Sequence, residues 1–245
     1  MKKTCVLAVL AAALPGLAFA GFEIEDATTE ENAVEFEIEN TVFVGDVNTG
    51  DTVSEHEIGV TWGVFNPWTT SVSFELETEK GGTLDLNGFE WSNTIGLVGG
   101  EASVNDELAV AIYTSFEYEF DSAEDVNLTV GPAVQYSTGN LDFGLNTFVA
   151  IPLDGGEDPA FVYAFGVSSE VSQGIAVGLE AHGEIPRAFG DAAEFEQQSH
   201  FLGPVVEIES AEENGQSAEI RLGAFAGLTD ATPSVAVSAN VGFGF

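Results

Sequence analysis

Apolar side chains recur at every second position along almost the whole chain, in runs long enough to cross a bilayer as tilted strands. One such run is Leu108, Val110, Ile112, Phe116, Tyr118. Another is Val126, Leu128, Val130, Val134, Tyr136, and the last is Val235, Val237, Val241, Phe243, Phe245. Twelve runs can be counted from Val34 to Phe245. Each has one apolar face, and the other face carries Glu, Ser, Thr, Asn, Gly or Ala. No segment of ten or more residues repeats at helical spacing, and no linker marks a second domain.

A soluble β-sandwich also alternates. Three features favour an all-β, antiparallel, up-and-down transmembrane β-barrel instead. Many runs last about ten residues, whereas soluble strands stop at about five or six. The polar face is rich in small residues, among them Gly131, Ala133, Gly144, Gly166, Gly178, Gly203 and Gly223. These suit a crowded lumen and would cover a soluble surface poorly. An even strand count also brings both chain ends to one side of the membrane, the periplasmic side.

Joins should then alternate between short inner turns and longer outer loops. Residues 66–68, 137–140 and 172–174 read as tight inner turns, and 44–52, 152–159 and 185–196 as outer loops. Residues 98–106 and 210–216 are long for inner turns, and 229–233 is short for an outer loop. Ten and fourteen strands therefore stay open beside twelve.

The N-terminus has the layout of a secretory signal. Lys2 and Lys3 precede an apolar run from Val6 to Leu14, and Ala18-Phe19-Ala20 fits the small-x-small cleavage pattern. Residues 1–20 are thus expected to be removed, residues 21–31 to form a polar periplasmic lead, and residues 32–245 to form the barrel. Cys5 is the only cysteine, so the mature protein is expected to have no disulfide or thiolate metal site. Cleavage removes two cations and no acid, taking the formal charge from −36 to −38 and leaving Lys80, Arg187 and Arg221. Such a chain is not expected to bind nucleic acid or anionic lipid through a basic patch. It attracts cations.

Gly227-Leu228-Thr229-Asp230-Ala231-Thr232-Pro233, the alternation up to Gly242-Phe243-Gly244-Phe245, and His200-Phe201-Leu202-Gly203-Pro204 resemble the closing strands of small proteobacterial outer-membrane barrels. The nearest group is the family of transporters associated with the meta-pathway of phenol degradation. The resemblance covers the last quarter of the chain and carries over no substrate residue. It implies an outer-membrane location. It also implies that Val241, Phe243 and Phe245 form the signal read by the barrel-assembly machinery, with outer-membrane lipid as the other partner.

The polar parity carries the chemistry. Glu55, Glu57, Glu75, Glu77, Glu79, Glu90, Glu117, Glu119, Glu180 and Glu184 all fall on it, as do Glu35, Glu37 and Glu39. Strand direction brings the first ten to the outer mouth, and the lower half of those strands is mostly Ser, Thr, Gly and Ala. Rings of carboxylates select cations by their local potential. An environmental cause gives the same composition, because a high-salt habitat favours carboxylates on every wet surface. Arg221 is expected to pair in the lumen with Glu207 and Glu209.

Other chemistries find little support. Asp154-Gly155-Gly156-Glu157-Asp158 lacks the ligand order of a calcium loop, and no metal or other cofactor is expected. Ser199 and His200 point to opposite faces, so they form no nucleophile–base pair, and the chain is not expected to be an enzyme. His56 and His200 fall on the lipid parity, and His182 on the luminal one. Trp62, Trp68, Trp91, Tyr118, Tyr136 and Tyr163 suit interfacial girdles. The expected function is passive, cation-preferring passage of small solutes. The alternative is a barrel plugged by its own side chains, such as Phe148, Phe201 and Phe225, with a structural or partner-binding role.

Overall fold

A computed structural model describes residues 24, 25, 27, 31–45, 52–79, 82–99, 107–120, 126–153, 158–190, 193–210 and 216–245. The expected signal and most of the acidic loop at 154–158 lie outside these residues. The structure is a closed barrel of twelve antiparallel strands, each paired with its neighbours in sequence. The strands are β1 (Val34–Val44), β2 (Thr52–Phe65), β3 (Trp68–Glu79), β4 (Asp85–Val98), β5 (Glu107–Glu119) and β6 (Val126–Thr138). They continue as β7 (Leu141–Pro152), β8 (Ala160–Ser172), β9 (Ile175–Ile185), β10 (Ser199–Glu209), β11 (Ser217–Gly227) and β12 (Val235–Gly244). A 3-10 turn, Phe195–Gln197, precedes β10.

The strands are 10 to 14 residues long, enough for a tilted strand to cross hydrocarbon. Period-two alternation then separates the chain's chemistry. Ile58, Trp62, Phe74, Trp91, Leu145, Phe165, Leu179, Leu202 and Leu222 stand on the exposed outer wall. Ala111, Ala133, Ala236, Thr41, Asn146 and Ser238 are buried on the inner one. An apolar exterior around a polar interior is the inverse of a soluble protein and suits immersion in lipid.

The seam between β1 and β12 closes the barrel, with Phe36 facing Phe243, Ile38 facing Val241 and Val44 facing Val235. The Phe245 amide donates to the Val34 carbonyl at 2.8 Å. The last residue thus completes the ladder, and closure leaves no unpaired sheet edge. The end bearing both termini has the tight turns at 66–67, 139–140 and 173–174, together with the longer joins before β5 and β11. The opposite, loop end includes the long β9–β10 join. There Thr229 and Thr232 organise the compact β11–β12 turn, with the Thr232 hydroxyl accepting from the Thr229 amide at 3.1 Å.

Candidate functional site

The inward parity builds two acidic groups at different places on the wall. The first lies on β2 to β5. Glu57 faces Glu75, Glu55 faces Glu77, and Glu90 faces Glu117 across adjacent strands. Glu75 has Glu117, Glu57, Glu90 and Glu55 as charged neighbours. Glu117 interacts with Glu119, Glu57 and Glu184, so this group also reaches β9. Carboxylates held this close attract cations, because each raises the local negative potential felt by the others. The Tyr113 hydroxyl donates to Glu90 Oε1 at 2.9 Å. Glu79 pairs with Val53 at the end of the same ladder. Below this group β2 to β4 present neutral residues, Thr61, Thr69, Ser71, Ser92 and Thr94, with Thr61 donating to Glu37 of β1 at 3.3 Å.

The second group lies near the terminus-bearing end, around the expected luminal set of Arg221, Glu207 and Glu209. Glu207 faces Arg221, and Glu209 faces Glu219. Glu219 has Glu209, Glu207 and Glu35 as acidic neighbours. β10 and β11 place their acids at this end, and Glu219 is the member that the sequence reading leaves out. The inward position of Glu219, two residues before Arg221, was the available signal.

Arg221 ties this group to the middle of the barrel. Its guanidinium binds Glu180 and lies 3.7 Å from Glu207 Oε1. Glu180 also shares a 2.9 Å hydrogen bond with His182. Glu180 therefore does not belong to the mouth group that strand direction suggests. It faces Gly203 on β10 and Gly166 on β8. His182 meets Phe225 edge-on at 5.4 Å. Phe225, Phe201, Val205 and Ala236 form an apolar cluster on the same wall, with Phe43 packed against it. Phe148 stacks on Tyr113 at 4.9 Å.

The remaining histidine contact is on the outer surface. His200 shares hydrogen bonds with Tyr163 and Gln198, both at 2.9 Å. Phe195 stacks on its ring at 5.2 Å. The imidazole is thereby a buried packing element on the lipid parity.

The interior also holds a segment assigned from sequence to the periplasm. Ile24, Glu25 and Ala27 sit against the inner wall. Ala27 is buried with Ala109, Ala111 and Ala133, and its amide donates to Gln135 Oε1 at 3.2 Å. A polar, acidic lead reads as solvated, but small luminal residues on β5 to β8 leave it a berth. Among the described residues, two large cavities lie in the barrel. One, of about 500 Å3, is lined by Glu25, Glu37, Glu57, Glu90, Tyr113 and Glu219 among others. The second, of about 630 Å3, is lined by Ile24, Glu37, Glu180, Glu207, Glu219 and Arg221 among others. Glu35, Glu37 and Glu219 border both.

No protein-family model matches the chain, and no curated protein matches it. Solved structures do. An outer-membrane channel from Pseudomonas putida F1 superposes with a TM-score of 0.59 at 10% identity, covering 92% of this chain and 98% of that one. The NanC porin superposes with a TM-score of 0.54 at 12% identity, covering 86% of this chain and 98% of that one. At such identities the likeness is one of fold, that of outer-membrane porin-like barrels.

Proposed function

We propose that the protein is an outer-membrane channel through which small solutes pass passively, with preference for cations. The observation that carries this reading is the pair of adjoining cavities walled by carboxylates, with Glu35, Glu37 and Glu219 common to both. A cation moving between them would stay beside negative charge. The barrel wall supplies a low-dielectric surround that focuses the field along the lumen. Glu55, Glu57, Glu75, Glu77, Glu117 and Glu119 set the potential at the loop end. Glu180 acts deeper, with Arg221. Val241, Phe243 and Phe245 are assigned to recognition by the barrel-assembly machinery. The resemblance to phenol-pathway transporters brings no substrate residue, and luminal charge alone indicates the cargo class.

The test is a planar-bilayer recording across a tenfold KCl gradient. A cation-preferring channel reverses on the potassium side, toward a limit of about 59 mV. Glu57→Gln, Glu75→Gln and Glu90→Gln combined should bring the reversal toward zero. The preference should also weaken from 0.1 M to 1 M salt, as the screening length falls from about 10 Å to about 3 Å. Reversal on the chloride side would refute the reading.

A second reading is a closed barrel that stabilises the envelope or presents its loops. The buried cluster of Phe201 and Phe225 and the luminal seat of Ile24 support it. Absence of conductance from correctly folded protein would favour it.

A further inference from the structure

We infer that the segment containing Ile24, Glu25 and Ala27 is a luminal strap that forms the channel's constriction. This rests on the channel reading above and adds what limits flow. In the ring of twelve strands, β7 lies diametrically opposite β1. The chain enters β1 at Val34, where Asn32 and Ala33 are already hydrogen-bonded to Gly63. Ten residues earlier, Ile24 is seated on β7 and β8. Ile24 and the start of β1 therefore stand on opposite walls of the lumen.

Its seat is shaped for it. Gly144 on β7 and Gly166 on β8 are register partners. A Cβ on Gly144 would lie 2.7 Å from Ile24 Cγ2, and one on Gly166 would lie 2.4 Å from Ile24 Cδ1. Only glycine at both positions leaves the space Ile24 occupies. The neighbouring backbone is held as well. With the Asn146 amide oriented to satisfy its contacts, its oxygen accepts from the Glu25 amide at 2.5 Å and its nitrogen donates to the Glu25 carbonyl at 3.3 Å. Asn146 is 1% exposed, and this pairing gives its buried amide oxygen a donor. Ala27 then fits among three alanines, with Gln135 receiving its amide.

The two faces of the strap differ. Ile24 borders the cavity that contains Glu180, Glu207 and Arg221. Glu25 borders the other, beside Tyr113 and Glu90. The strap thus narrows the cross-section and adds its own carboxylate to one of the two routes past it.

Conductance of purified, detergent-extracted full-length protein in planar bilayers tests this. Ile24 Cβ lies 3.7 Å from where a Gly144 Cβ would stand, within the disulfide range of about 3.5–4.5 Å. Ile24→Cys with Gly144→Cys should therefore cross-link under oxidation. The cross-linked channel should conduct no more than wild type. Ile24→Asp with Ala27→Glu should expel the strap and raise single-channel conductance about twofold, as the two routes merge into one wider pore. Heat-modifiable gel migration checks that each variant is folded.

A folded barrel in which the cysteine pair does not cross-link overturns the placement of the strap. Unchanged conductance in the expelled variant overturns its role as constriction. If folded wild type and variants are all silent, the obstruction lies elsewhere, and this inference falls together with the channel reading. Higher conductance without cation preference would leave the strap standing and remove only the selectivity argument.

Discussion

Replacing Arg221 with methionine removes the cation from a pocket that holds two acids. The side chains of Arg221 and Glu180 are 9% and 5% exposed, and that of Glu207 is 25% exposed. At 3.7 Å from Glu207, the attraction at an effective dielectric of about 20 is about 4 kcal/mol before desolvation is counted. The intact pair is worth much less than that, because desolvation opposes it. Breaking it is different, since Glu180 is left charged, buried and beside a second acid. Loss of one partner from such a pair costs about 3–5 kcal/mol. Hydrogen bonding from His182 lessens the penalty on Glu180, and solvent reaches Glu207, so Arg221→Met should lose about 3 kcal/mol. Urea unfolding in detergent micelles, followed by the heat-modifiable gel shift, would register about a hundredfold fall in the folded-to-unfolded ratio. Adding Glu180→Gln should restore most of the loss, because the stranded charge is gone. An Arg221→Met protein within about 0.5 kcal/mol of the parent, or a double variant weaker than the single one, would refute the argument.

Two packing predictions use the same unfolding assay. Phe225, at 1% exposure, fills the space between His182 and the cluster of Phe201, Val205 and Ala236, so Phe225→Ala should lose about 3 kcal/mol. A Cβ on Gly203 would stand 2.0 Å from the Ala224 carbonyl oxygen, whereas one on Gly59 meets nothing nearer than 3.5 Å. Gly203→Ala should therefore cost about 1–3 kcal/mol and Gly59→Ala within about 0.5 kcal/mol; equal losses would show that inner-wall crowding is not what keeps Gly203.

The barrel was legible because alternation at period two is a strand's own geometry, repeated where lipid on one side makes the apolar parity obligatory. Val34 to Val44 and Val235 to Gly244 show it plainly, and their pairing closes the ring. The open strand count came from the joins. Length alone cannot separate a short loop such as that between Gly227 and Val235 from a turn. The structure shows that hydrogen bonds between Thr229 and Thr232 compact this join. Parity was equally reliable for the site, since it sent every one of Glu55, Glu57, Glu75 and Glu90 inward.

Height along the lumen was harder to read, because it depends on register between strands that sequence order does not supply. Glu180 lies five residues after β9 begins and five before it ends, so direction alone could assign it to either half. Its partners, Arg221 and His182, decide the matter, and Arg221 arrives from β11, two strands away. The strap was hidden for a further reason. Ile24 has only Phe22 beside it at strand spacing in an acidic stretch, too short an alternation to read as an element. What gives it a place is the empty volume above Gly144 and Gly166, which in the sequence are two unremarkable small residues twenty-two positions apart. Pairing β7 with β8 brings them side by side. The cradle is thus a property of the ladder, and only after the fold is known do those glycines and Ile24 become one feature.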